Sequence, residues 1–228
     1  MTNFQIHIVS DTVCPWCYVG KKRLEKGIEQ FKKENPDSND TFSTTWAPFY
    51  LDPEAPNEGE DKQARYARRF GAQRSQMMFQ RLAMVGDSVG INFKFGGRTG
   101  NTRDSHRLIQ LAKTKSPEMQ TKVVEKLFEA YFEKEQDITS HAVLLKAAVE
   151  AGLDQAEAKD WLETDKGGPA VDKEVKEAQM KFIGGVPHFT ISDRVEIEGA
   201  DDPSTFVEAF KKVKAEAEFE QKRFGDSC

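Results

Sequence analysis

The chain has 228 residues, of which 31% are charged and 38% hydrophobic, and its formal net charge at pH 7 is −5. This length suffices for one large domain or two closely packed ones, and the negative charge argues against nucleic acid as the main partner. No apolar stretch approaches the roughly 20 residues that span a bilayer, and we expect a cytoplasmic protein because residues 1–20 show no secretory signal and the chain is poor in cysteine.

A strand is predicted at residues 4–9, where apolar and polar residues alternate, and a helix follows from Cys14 to about Lys33. Cys14 falls at the N-cap of that helix, and Pro15 takes its first helical position, where a missing N–H costs nothing. The free N–H groups and the positive dipole end of the helix favour the thiolate form of Cys14. Cys17 lies one turn further along, where it would act as the resolving thiol.

Three other interpretations apply to Cys14 and Cys17. A zinc site would need a second pair of ligands, but the only other cysteine is Cys228 and no two histidines have a ligand spacing. A structural disulfide would close too short a loop to stabilise the fold. Two inert cysteines remain an alternative, although C-x-x-C after a strand is typical of redox chemistry in intracellular chains. The sequence therefore predicts a redox-active pair and no metal site.

A second strand is predicted at residues 42–50, so that strand, helix and strand form a right-handed βαβ unit. An acidic, proline-rich loop at residues 51–60 marks a candidate domain boundary. Residues 61–182 are predicted to be helical almost throughout, with helices that start near residues 61, 102, 116, 140, 154 and 170. The first of these helices extends to Val85, and its arginines are expected to form a solvated basic face rather than an anion site. A glycine-rich loop at residues 86–100 follows it.

Two short strands at residues 188–192 and 194–198 are predicted to form a hairpin, and a helix that begins at Pro203 closes the chain. The order β-α-β, then about 120 helical residues, then β-β-α is that of a thioredoxin core with an insertion. We therefore predict an α/β fold with a discontinuous thioredoxin-like domain at residues 1–60 and 183–228. A large, all-helical insertion domain would occupy residues 61–182.

The proline that precedes the hairpin is the second informative position. In a thioredoxin core this proline lies beside the redox pair with a cis peptide bond, and Pro187 stands in its place. Val186 would then offer its backbone N–H and C=O to a substrate strand. A trans proline that merely opens a strand is the alternative interpretation.

Four motifs, taken in chain order, resemble the DsbA-like thioredoxin family and specifically its cytosolic FrnE-type branch. They comprise residues 10–20, 48–53 and 101–108, and finally 185–189 with 199–201. The resemblance runs from about Phe4 to Phe210 and implies a dithiol–disulfide oxidoreductase whose insertion forms a lid over the active site. It implies that the catalytic residues are Cys14, Cys17 and Pro187, and that the cleft is lined by Pro15, Trp16, Val186 and His106. By its residue type alone, His106 would instead be a solvated or core-edge histidine.

A neighbouring branch of the same family contains the kappa-class glutathione transferases and the 2-hydroxychromene-2-carboxylate isomerases. That branch binds glutathione and has a serine at the position of Cys14, so this sequence departs from it at the decisive residue. The glutathione surface would survive in Val186, for the cysteinyl part, and Asp201, for the glutamyl ammonium. The alternative function is accordingly a glutathione-dependent transferase or isomerase of small aromatic compounds.

The resemblance implies no tightly bound cofactor and glutathione as a co-substrate. The expected partners are proteins or small molecules that contain thiols or disulfides, and the expected state is a monomer or homodimer. Cys228 is expected to be a mobile free thiol, with an interchain disulfide as the alternative.

Overall fold

The fold begins with the predicted βαβ unit: β1 (Asn3–Ser10), α1 (Pro15–Glu34) and β2 (Thr41–Pro48). A computed structural model describes residues 1–225 of the chain. β1 and β2 pair in parallel along their whole length, from Asn3 with Thr41 to Ser10 with Pro48. The twenty-residue helix α1 connects them and ends at Asn35, whose N–H donates to the Phe31 carbonyl.

The sheet is completed by strands from the far end of the chain. β5 (His188–Ile191) pairs antiparallel with β1, and β6 (Val195–Glu198) pairs antiparallel with β5, which confirms the predicted hairpin. The strand order is therefore β2-β1-β5-β6. Helix α9 (Pro203–Gly225) packs against α1 on one face of this sheet. The two ends of the chain thus share one α/β core.

An aromatic cluster fills the space between the sheet, α1 and α9. Phe4 of β1 is completely buried, and its ring centroid lies 4.8–5.4 Å from one ring of each neighbouring element: Phe31, Phe42 and Phe210. α1 and α9 approach closely because residue 27 is glycine. A Cβ atom at Gly27 would lie only 2.8 Å from the Cβ of Phe206. The burial of Phe4 in this cluster explains why an apolar residue occupies its place in the alternating pattern of β1.

Helices make up most of the insertion. They are α2 (Lys62–Phe70), α3 (Ala72–Val89), α4 (Arg103–Lys113), α5 (Pro117–Phe128), α6 (His141–Ala151), α7 (Gln155–Glu163) and α8 (Gly168–Met180). Two N-caps follow the sequence expectation, since Ser116 and Asp154 each accept a hydrogen bond from a backbone N–H three residues later. The division of the chain into domains at residues 61 and 182 stays a prediction.

The insertion differs from the prediction in three places. The single helix predicted over residues 61–85 is wrong, because Gly71 adopts φ 86° and separates α2 from α3. The insertion is not all-helical either: β3 (Glu60–Asp61) and β4 (Arg98–Thr99) pair as a small antiparallel sheet at its base. Finally, α5 continues into a π-helical turn, Glu129–Glu133.

The C-terminal helix α9 begins at Pro203, as predicted, and extends to Gly225. The predictions for Cys228 concern a residue outside the described range. None of the helices within residues 1–225 combines the length and the apolar character that a membrane crossing requires.

A glutamine of the insertion pairs with the backbone at the edge of the sheet. The Trp46 N–H of the edge strand β2 donates to Gln120 Oε1 at 3.0 Å, and Gln120 Nε2 donates to the Trp46 carbonyl at 2.9 Å. The side chain of this α5 residue thus satisfies both backbone groups, as a neighbouring strand would. The insertion is thereby held against the core.

We expect Gln120→Leu to lower the free energy of unfolding by about 2–4 kcal/mol, because two buried backbone groups of Trp46 lose their partners. Urea denaturation measures this change. Gln30→Leu, on the exposed face of α1, is the matched control and should change stability little. Equal losses in the two variants would show that the pairing contributes nothing to stability.

Candidate active site

The two cysteines lie where β1 gives way to α1. Cys14 is extended (φ −87°, ψ 110°), Pro15 is the first helical residue, and the Cys14 N–H donates to the Asp11 carbonyl at 3.0 Å. This turn places Cys17 one helical turn behind Cys14, and the two cysteines approach each other to 3.4 Å. Both are free and buried. The pair therefore has the proximity that dithiol–disulfide chemistry needs.

The environments of the two thiols are different. Burial raises the pKa of the Cys17 thiol well above its ordinary value, and the hydrogen bond with Cys14 and the charge of Cys14 raise it further. Hydrogen bonds from the Ser10 side chain and the Asp11 backbone act in the opposite direction but are smaller. Cys17 is therefore protonated at neutral pH and is suited to act second.

The segment before β5 meets the cysteine pair from the other end of the chain. The Val186–Pro187 peptide bond is cis, as the family resemblance implied. The Cys14 thiol donates to the Val186 carbonyl, with Sγ and O 3.5 Å apart. The Pro187 ring packs on α1, where a Cβ atom at Gly20 would lie 3.0 Å from Pro187 Cγ. The structure thus brings Cys14, Cys17, Val186 and Pro187 together.

The other residues proposed for the site have different surroundings. Trp16 is half-buried, and the guanidinium of Arg81 lies 5.7 Å from its ring centroid. Asp201 is exposed on the turn after β6, where its carboxylate accepts the Asp202 N–H at 2.7 Å. Within residues 1–225, no hydrogen bond or ion pair joins Asp201 to Cys14 or Val186.

His106 is buried at the start of α4, so the structure contradicts the solvated alternative. Its Nε2 atom lies 3.2 Å from the Phe49 carbonyl oxygen and 3.4 Å from Asp11 Oδ1. Asp11 Oδ2 accepts the Leu51 N–H at 2.8 Å, whereas Oδ1 has no hydrogen-bond partner among the described residues. A buried carboxylate with one free oxygen therefore lies beside the turn that holds Cys14.

Sequence reasoning missed Asp11 as a candidate functional residue. Its position three residues before Cys14 was part of a recognised motif, but nothing in the local pattern indicates burial. Its neighbours Leu51 and His106 are distant in the chain, so only the tertiary structure reveals their proximity.

Helices α2 and α3, here called the flap, lie beside the N-terminus of α1: Arg81 of α3 stands over the Trp16 ring, and Tyr66 and Phe79 line a cavity together with Pro15. Cys14 is only 3% exposed. On α2, burial raises the pKa of Tyr66 to about 12, and the charge of Cys14 adds to the rise. Ion pairs fasten α2 to the acidic loop, whereas α3 contributes the apolar side chains Leu82 and Val89 to the hydrophobic core. Arg65 pairs with both Asp52 and Glu60 of the acidic loop.

The basic face predicted on these helices is therefore only partly solvated. Arg68 pairs with Glu60 at 2.7 Å and Arg69 with Asp52 at 2.8 Å, in addition to the two contacts of Arg65. The arginines of α2 thus hold the acidic loop after β2 against the flap. This loop also carries the Leu51 N–H that binds Asp11.

A lysine of α2 is buried next to the site. Lys62 is 3% exposed, donates to the Tyr131 carbonyl at 3.2 Å and lies 3.8 Å from the centroid of the Tyr131 ring. Burial lowers its pKa to about 8, and the charge of Glu135 offsets this only in part. The ammonium form is therefore less favourable in the folded chain than in water.

The chain matches the DSBA-like thioredoxin domain family over residues 5–211. It is 33% identical over 208 residues to the Bacillus subtilis (strain 168) protein YwbO, which covers 90% of this chain and 94% of YwbO. The crystal structure of the probable DsbA oxidoreductase SCO1869 from Streptomyces coelicolor superposes with a TM-score of 0.83 at 25% identity. That likeness covers 93% of this chain and 91% of the Streptomyces chain.

A more distant likeness extends to the cytosolic disulfide reductase DsbM from Pseudomonas aeruginosa, solved with GSH. Its TM-score is 0.58 at 14% identity, and the match covers 93% of this chain and 99% of DsbM. At this identity the likeness concerns the fold.

We expect Arg65→Met to loosen the flap and to increase alkylation of Cys14 by iodoacetamide at pH 7. If the lost ion pairs are worth about 1 kcal/mol, the rate rises roughly fivefold. Mass spectrometry of a Cys228→Ser background measures the rate. Arg74→Met is the control, since Arg74 is exposed and has no ion pair in the described part of the chain. An unchanged rate in Arg65→Met would mean that these ion pairs do not keep Cys14 covered.

Because Lys62 is buried, we expect the free energy of unfolding to depend on pH. The pKa of Lys62 is about 8 in the folded chain and 10.5 for an ordinary, solvated lysine. Between pH 8 and pH 10.5, the unfolded chain therefore binds more protons than the folded chain. The free energy of unfolding should therefore rise with pH across this window, by up to roughly 3 kcal/mol relative to Lys62→Met. Urea titrations at several pH values measure it. A constant difference between wild type and variant across the window would contradict the assignment.

Proposed function

This chain belongs to the family of DSBA-like thioredoxin domains, and we propose that it is a dithiol–disulfide oxidoreductase acting through Cys14 and Cys17. The supporting observation is the approach of the two cysteines to 3.4 Å at the N-terminus of α1. The cis-proline segment beside them, with the Val186 carbonyl 3.5 Å from Cys14 Sγ, supports the same function.

In the proposed reaction, the thiolate of Cys14 attacks one sulfur of a substrate disulfide. The substrate S–S bond breaks, its first sulfur leaves as a thiolate that takes a proton from water, and a mixed disulfide with Cys14 forms. Cys17 then loses its proton and attacks Cys14 Sγ, which releases the second substrate thiolate. Two electrons pass to the substrate and Cys14 becomes joined to Cys17. An external thiol restores the dithiol, and the reverse sequence oxidises a substrate dithiol.

The surrounding residues would bind and orient the substrate. Val186 would pair through its backbone with an extended substrate segment, next to Pro187, which has no N–H to compete for the sulfur. Pro15, Trp16 and His106 would line the cleft. Since Cys14 is 3% exposed, the flap must move before a protein substrate can reach the sulfur.

We propose glutathione as the co-substrate that restores the dithiol. Its cysteinyl part would bind the Val186 backbone, and its glutamyl ammonium would bind Asp201, whose carboxylate is exposed. We also propose a cytoplasmic location and the FrnE-type branch of the family. A compartment that reduces thiols would keep the pair as a dithiol, so reduction or isomerisation of substrate disulfides would be the working direction.

A glutathione-dependent transferase or isomerase of small aromatic compounds is the alternative. In that reaction Cys14 would only activate the glutathione thiol, and Cys17 would be dispensable. The approach of Cys17 to Cys14 and its burial behind that residue favour exchange.

We expect Cys14→Ser to lower the reduction of insulin or of oxidised glutathione by about 100-fold or more, because the attacking sulfur is lost. Cys17→Ser should still attack but should accumulate the mixed disulfide, visible by mass spectrometry. Both variants are made in a Cys228→Ser background so that the pair supplies the only thiols.

Undiminished exchange by Cys14→Ser would end the proposal. If Cys17→Ser loses disulfide exchange but still conjugates glutathione to an aromatic halide at the wild-type rate, the alternative function is the correct one.

A further inference from the structure

A cavity lies under the flap, directly beside the dipeptide that separates the two cysteines. Pro15 forms one wall, and aromatic rings from α3, the following loop and the π-helical turn after α5 form the others, among them Phe79, Phe93 and Phe132. Tyr66 lies on the cavity wall as well. Because Pro15 directly follows Cys14 in the chain, the cavity lies next to the residue that carries the reactive sulfur.

The charged groups of this cavity are all positive. Lys62 and Lys94 line it, and no carboxylate does so within the described range of residues. Lys62 Nζ, a group with three donors, has one hydrogen bond, to the Tyr131 carbonyl, and rests on the Tyr131 ring. Neither lysine forms an ion pair with any residue between positions 1 and 225. Lys21, the other buried lysine among the described residues, differs from Lys62 because it pairs with Glu25 and Glu125.

A buried ammonium without a counter-ion is unfavourable, and proteins normally pair such a group. An anion that enters the cavity would supply the missing partner in surroundings where the attraction is strong. Aromatic walls around a fixed cation suit a flat, apolar ring with a carboxylate. Lys62 is therefore better explained as part of a binding site than as a support for the fold.

We propose that this cavity is a subsite for the carboxylate of small aromatic thiols and disulfides that react at Cys14, with Lys62 as the carboxylate-binding residue. The proposal rests on the proposed function and adds a substrate class to it. The ring would pack against Phe79 and Phe93, and Pro15 would direct its sulfur substituent towards the neighbouring cysteine.

Binding at this subsite is coupled to movement of the flap. With the flap closed, the cavity has room for roughly one water molecule. An aromatic ring can enter only when α2 and α3 move away from the core. Any substrate needs a movement of this kind, because Cys14 is buried. The ion pairs of Arg65 with Asp52 and Glu60 would re-form around the bound anion.

Two aromatic disulfides that differ in charge test the proposal. 5,5′-Dithiobis(2-nitrobenzoate) has a carboxylate on each ring, whereas 4,4′-dithiodipyridine is neutral, and both release a coloured product when a thiolate attacks them. We expect the ratio of their second-order rate constants, carboxylate to neutral, to fall about tenfold in Lys62→Met, equivalent to about 1.4 kcal/mol. Lys159→Met, at a lysine side chain 59% exposed on α7, should leave the ratio unchanged.

If Lys62→Met slows both probes equally, Lys62 acts on the Cys14 sulfur and not on a substrate carboxylate, and the proposal is overturned. An unchanged ratio overturns it too. Because Lys62→Met removes an unpaired buried charge, the variant should fold at least as stably as the wild type at pH 7.

A binding measurement separates this inference from the proposed function. 2-Nitrobenzoate is titrated by calorimetry into Cys14→Ser protein with and without Lys62→Met, and we expect binding that weakens about tenfold when the lysine is replaced. If wild type reacts with neither disulfide, the proposed function fails, while the titration still decides the subsite. If wild type reacts with both but 2-nitrobenzoate does not bind, the subsite fails and the proposed function stands.

Discussion

The burial of Cys17 directly behind Cys14 is the constraint on which the rest of this structure depends. It makes two chemically identical thiols unequal, since burial and the hydrogen bond to Cys14 raise the pKa of Cys17. Cys14 lies at the helix N-cap, where free N–H groups favour an anion. The order of attack in the proposed exchange follows from this asymmetry, and neither residue could provide it alone.

The architecture serves to bring the far end of the chain to that pair. β5 pairs with β1, so the segment that ends in Val186 and Pro187 arrives beside the turn that holds Cys14. The insertion that separates the two halves is fixed to the sheet edge through Gln120. As a result, α5 keeps a defined position relative to the sheet that brings the reacting residues together.

The flap makes polar contacts with the acidic loop, and its inner side is aromatic. Arg65 and its acidic partners are only partly exposed, and their ion pairs must break when the flap opens. Lys62 lies inside, among rings and without a counter-ion. This division suits a flap that opens for a substrate and then surrounds an anionic aromatic group.

The sequence by itself determined the elements of the thioredoxin-like core and the position of the cysteine pair at a helix N-terminus. Alternation in β1, the cap at Cys14 and Pro15, and the hairpin after Pro187 are local signals, because side-chain periodicity and backbone dihedrals act over a few residues. Tertiary structure alone decided the burial of Asp11 and His106, the pairing of the arginines with the acidic loop, and the isolation of Lys62. Each of these depends on which distant segments pack together, and the electrostatic energy of a group depends on those neighbours rather than on its place in the chain.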